Sequence, residues 1–164
     1  MKTIAIVLTR YRDPLSQVVY FLNGGGFTHV SLSLDEDMAT MYSFNFKGFA
    51  IENAAKFRRQ GVYSSKSYQL WVSDRAYDRL AACIRTFQAD RQAYRYSLLG
   101  VLCCYFHIPY RAEGRYFCSQ FVAQALQDAQ AVRLRHTPAL YLPNRLMREL
   151  AGSRQLLRVQ YHQL

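Results

Sequence analysis

The sequence predicts an α+β fold in which an antiparallel sheet packs against helices. Short alternating or β-branched runs are concentrated before Ser73, whereas segments with apolar residues three and four apart dominate after it. The two kinds of segment are partly segregated instead of strictly alternating, which separates this pattern from a parallel doubly wound sheet. A chain of 164 residues suits one domain spanning 1–164, whose core can bury roughly 70% of the unfolded surface without a disulfide or metal staple.

The elements follow in order. Ile4 to Leu8 is mostly β-branched and reads as a buried strand. Asp13-Pro14 starts a helix, because Asp accepts from first-turn amides and Pro fits the first helical position. Leu15, Val18, Val19 and Leu22 give that helix an apolar stripe, and Asn23 with Gly24 to Gly26 ends it. Phe27 to Leu34 alternates strictly, with Val30, Leu32 and Leu34 facing a core and His29, Ser31 and Ser33 facing something polar. Asp35 to Asp37 turns the chain, and Met38 to Phe46 returns as a strand with Tyr42, Phe44 and Phe46 on its apolar side. Phe49 to Glu52 and Ser67 to Val72 are further strands, joined through a basic loop at Lys56 to Gln60. Ser73 caps a helix with the stripe Tyr77, Leu80, Ile84 and Phe87. Tyr94 to Phe106 is apolar nearly all round, so a buried helix is expected. After a loop at His107 to Gly114, Phe117 to Ala131 forms a helix with Phe121, Val122, Ala125 and Leu126 inward. Pro143 to Leu150 is the last helix, and Leu156 to Tyr161 closes the sheet.

Composition narrows function by exclusion. The longest apolar run, Leu98 to Phe106, is half of what a bilayer span requires, and Met1 to Arg12 lacks the pattern of a secretory signal. No transmembrane segment and a cytoplasmic location are therefore expected. The formal charge is +10, and 17 of the 21 cationic residues are arginine. Such a surplus attracts anions of many kinds without choosing among them. The arginines form no block of five or six and no nucleic-acid recognition signature is present, so no specific nucleic-acid partner is expected. The oligomeric state is not legible.

Four cysteines (Cys83, Cys103, Cys104, Cys118) and four histidines (His29, His107, His136, His162) show no metal-ligand spacing, so neither a metal nor an organic cofactor is expected. Cys118 stands apart, since it follows a loop and opens an apolar helix. Unpaired amides and the helix dipole there favour a thiolate, and the Cys118 amide can serve an oxyanion. His29 lies on the polar side of its strand. A three-residue turn pairs Leu34 with Met38 and, counting back, His29 with Ser43, with Asn45 as the diagonal neighbour. Ser43 or Asn45 is thus the candidate to orient the imidazole. Cys103, Cys104 and the flanking Tyr110 and Tyr116 read as packing.

In sequence order, Thr28 to Leu32 (THVSL), Met41 to Phe44 (MYSF), Arg115 to Leu126 (RYFCSQFVAQAL) and Leu142 to Leu150 (LPNRLMREL) resemble the circularly permuted papain-like proteins of the NlpC superfamily. YiiX-like proteins and the lecithin retinol acyltransferase group belong to it, and the resemblance runs from about Ile4 to Leu150. It implies a permuted papain-like fold, a thiol nucleophile at Cys118, a base at His29 and a polar third residue on the strand after the histidine. It also implies a cysteine peptidase-like hydrolase or acyltransferase acting on an amide, ester or thioester bond of a small peptide or acyl-bearing substrate. The competing reading is an inactive binding module for an anionic or acylated ligand.

Overall fold

A computed structural model describes all 164 residues. The strands are β1 (Lys2–Thr9), β2 (His29–Ser33), β3 (Met41–Asn45), β4 (Gly48–Glu52), β5 (Ser64–Val72), β6 (Arg95–Tyr96), β7 (Arg115–Tyr116) and β8 (Leu156–Gln163). The helices are α1 (Pro14–Leu22), α2 (Ala54–Arg59), α3 (Asp74–Ala89), α4 (Leu98–Tyr105), α5 (Cys118–Asp128) and α6 (Pro143–Ala151). Six strands form one sheet in the order β4-β3-β2-β1-β5-β8 with antiparallel neighbours, and β6 and β7 pair in parallel beside it. The class is α+β, as the segregated pattern predicts.

β1 is central, and its two faces enter different cores. Ile4, Ile6 and Leu8 pack with Leu80, Ile84 and Phe87 of α3, Phe121, Val122 and Leu126 of α5, and Leu146 and Leu150 of α6. Ala5 and Val7 face the other way, onto Phe57 of α2, Val62 and Met41. Fully burying a Leu, Ile or Phe side chain is worth about 1.5–3 kcal/mol, so the wide helix-covered side supplies most of the apolar drive. The other side retains a polar inlay: Ser31, Ser33, Ser43, Glu52, Ser65 and Ser67 are all buried.

Capping chemistry reads through directly. Asp13 accepts from the Ser16 amide at 3.0 Å and Ser73 from the Ala76 amide at 3.2 Å. Gly24, Gly25 and Gly26 all have positive φ, a conformation glycine adopts without a Cβ penalty. The turn they make is pinned from α6. The Asn144 side-chain amide donates to the carbonyls of Asn23 (3.0 Å) and Gly25 (2.8 Å), so α6 sets where the chain enters β2.

Several expectations are corrected. The strand after the acidic turn begins at Met41, not Met38, because Met38 is itself a turn residue with φ 55° whose amide donates to the Asp35 carbonyl. Leu32 therefore pairs with Tyr42, two residues away from the register counted from a three-residue turn. Phe46 lies beyond the strand end and is exposed. Lys56 to Gln60 is not a loop: Asn53 accepts from the Lys56 amide at 2.9 Å and starts α2, which buries Phe57. Finally, α4 begins at Leu98 and is not buried all round. Gly100, Val101 and Cys104 turn inward, whereas Leu99, Leu102 and Tyr105 are exposed, so apolar composition does not coincide with burial here.

Candidate active site

The site forms where the first residue of β2, the last residue of β4 and the first residue of α5 converge. His29 is 5% exposed, Cys118 3% and Glu52 1%, so their mutual interactions are felt in a low dielectric. Nε2 of His29 lies 3.0 Å from both carboxylate oxygens of Glu52, and the Ser31 hydroxyl donates to Oε2 at 2.7 Å. With Nε2 committed to the carboxylate, Nδ1 is the ring nitrogen open to the thiol. Cys118 and His29 line the same cavity, and the Cys118 sulfur lies 3.9 Å from the Thr28 carbonyl.

These contacts set the protonation of the pair. Burial alone lowers the pKa of His29, but the Glu52 charge, the neighbouring Cys118 sulfur and the bond to Glu52 outweigh it and raise the ring from 6.5 to about 10. For Glu52, burial raises the pKa. The His29 charge, the bonds from His29 and Ser31, and the Lys56 charge together bring it below the ordinary carboxylate value. The imidazole is thus built to hold a proton.

A cavity of about 450 Å³ opens onto Cys118 and His29. Leu15 and Val19 of α1, Phe44 and Phe46 supply apolar wall, while Arg12 and Lys47 bring positive charge to it and Asp13 negative charge. Tyr11 covers the imidazole edge-to-face at 4.9 Å, and its hydroxyl donates to Gln60 at 3.1 Å. Burial and the neighbouring Glu52, Cys118 and Asp13 charges raise its phenol far above the ordinary value, so it stays neutral. Tyr11→Phe is expected to leave thermal stability within about 0.5 kcal/mol, because the lost hydrogen bond is exposed. Tyr11→Ala is expected to uncover His29 and speed hydrogen–deuterium exchange at its ring. Equal exchange in the two variants would show that Tyr11 does not shield the site.

Cys118 and His29 are brought together as the sequence predicts. The proposed orienting residues are not: the Ser43 hydroxyl is turned to the Val30 carbonyl, and the Asn45 side chain accepts from the Lys47 amide at 2.9 Å in its own turn. Asn45 lines the cavity wall but Glu52 occupies the position beside Nε2. The two-residue register shift moves Ser43 away from His29, the Asn45 side chain is tied up in the turn to β4, and the final residue of β4 reaches the imidazole instead. The signal was present in Phe49 to Glu52, a strand whose terminal carboxylate lies on the face opposite Phe49 and Ile51. Tyr96, half-buried in the wall of the same cavity, lies on β6 and not in the helix expected over Tyr94 to Phe106. No cluster of three or more His, Cys, Asp or Glu side chains has metal-binding geometry. No helix is long and apolar enough to cross a membrane. Neither a family model nor a curated protein matches the chain.

Proposed function

We propose that the protein is a cysteine-dependent hydrolase or acyltransferase of circularly permuted papain-like fold. The observation that carries this reading is the succession Cys118, His29, Glu52, with the thiol and imidazole at one cavity and the carboxylate bonded to the far ring nitrogen. With its proton already held on His29 Nδ1, the Cys118 sulfur attacks the carbonyl carbon of an amide, ester or thioester as the thiolate. The oxyanion takes hydrogen bonds from the first-turn amides of α5, which no side chain of Phe117 caps. Nδ1–H then protonates the leaving group, and the same nitrogen later activates water or another acceptor to release the acyl group. Glu52 stabilises the imidazolium that precedes the attack. An apolar wall beside charged groups of both signs suits a small peptide or acyl-bearing substrate.

Electrophilic peptide and acyl analogues, read by mass, test the proposal. Cys118 is expected to label ahead of Cys83 and Cys103, although both are more exposed. Burial pushes the Cys83 thiol up to about 11 and the Cys104 thiol up to about 12, which leaves them poor nucleophiles. His29→Ala is expected to slow Cys118 labelling by roughly 100-fold, the lower end of what a positioned base contributes. Labelling that follows exposure and ignores His29 would favour the inactive binding module.

A further inference from the structure

A second cleft, of about 690 Å³, lies between residues 132–136, α6 and the turn before β8, and shares no lining residue with the cavity at Cys118. Arg133, Arg135, Arg145, Arg148 and Arg154 line it, against the single carboxylate of Glu149. That carboxylate is already engaged: one oxygen accepts from the Arg135 amide and the other from the Tyr141 hydroxyl. The ion pairs of the molecule join the N-terminus to Asp74, Lys2 to Asp78 and His29 to Glu52, so none of the five guanidinium groups has a carboxylate partner. One of them is held in place. Arg145 Nη1 donates to the Leu140 carbonyl at 3.3 Å, and Nη2 lies 3.2 Å from His136 Nε2.

From this we infer that the cleft binds a small, multiply charged phosphate anion. Five cations gathered around one solvent-filled volume repel one another, and an anion with several charges relieves that repulsion. Planar guanidinium forks match phosphate oxygens two at a time. The volume falls in the range of small-molecule sites, roughly 300–1,000 Å³. Val132 is the one hydrophobic residue of the lining and no Phe, Tyr or Trp is present. A phosphate chain therefore fits better than a nucleic acid, whose bases require stacking platforms.

The test is calorimetric titration of the full chain with inorganic tripolyphosphate, orthophosphate and sulfate at matched ionic strength. Saturable one-site binding is expected, tightest for tripolyphosphate. The double variant Arg133→Gln/Arg148→Gln, at two exposed positions, is expected to weaken it roughly 100-fold, about tenfold for each charge-assisted contact. The control Arg58→Gln/Arg59→Gln on α2 removes the same charge elsewhere and is expected to change affinity by no more than about twofold. Equal losses in the two variants, or no saturable binding to the wild type, would overturn the site. So would tighter binding of a short single-stranded RNA or an anionic lipid vesicle than of tripolyphosphate, lost in the Arg133/Arg148 variant. Labelling at Cys118 is independent of every one of these outcomes.

Discussion

Glu52→Ala is expected to destabilise the protein by about 3–5 kcal/mol, the cost of removing one partner from a buried ion pair. Three losses combine. His29 keeps its burial but loses its counter-ion, the Ser31 hydroxyl loses its acceptor, and a cavity opens beneath β4. Against a total stability of roughly 5–15 kcal/mol for a domain, such a loss is a large share. Glu52→Gln keeps the shape and the capacity to bond Ser31, so its loss is expected to be smaller. In both variants the His29 pKa falls, since burial lowers it once the carboxylate charge is gone. Urea unfolding and a histidine NMR titration measure the two effects. A Glu52→Ala variant within about 0.5 kcal/mol of the wild type, the range of ordinary surface substitutions, would show that Glu52 is not the counter-ion that the geometry makes it.

The second large effect is on stability against pH. His29 is raised in the folded state, so its contribution is complete below 6.5 and is lost as pH rises toward about 10. Over that window the native protein retains a proton that the unfolded chain has released. The stability advantage of the wild type over His29→Gln is therefore expected to shrink by roughly 1 kcal/mol per pH unit. Glu52 has the opposite sign. Its pKa is lowered, so its contribution is present above the ordinary carboxylate value near 4.5 and is lost as pH falls through the folded value. The groups facing the pair are Cys118 and Tyr11 on the histidine side and Lys56 on the carboxylate side. Unfolding midpoints from pH 4 to pH 10 give the profile. An advantage that is flat from pH 6.5 upward would mean that His29 is neutral in the native state and that its bond to Glu52 runs through an uncharged ring.

How much of this was legible follows from the range over which each signal acts. The caps at Asp13 and Ser73, the Gly24–Gly26 turn, the stripe Leu80, Ile84 and Phe87, and the alternation of β2 are local properties of a few consecutive residues. Each was readable from spacing. Sequence and structure part where neighbours overrule composition. α4 carries its apolar residues all round yet exposes Leu99 and Leu102, because one face packs on Val19 and Phe117 and nothing covers the other. Lys56, Arg58 and Arg59 look like a solvated loop, yet Phe57 among them closes the smaller core and holds the segment helical.

The linear chain by itself determined the nucleophile and base candidates, because a cysteine opening an apolar helix and a histidine on the polar side of an alternating strand are each defined within one element. It also determined the α+β class, since periods of two and of three to four are properties of contiguous residues. Only the tertiary structure decided that Glu52 faces the imidazole in place of Ser43 or Asn45. A left-handed Met38 displaces the strand pairing by two residues, and the side chain that meets His29 depends on how three strands assemble, which no single segment encodes.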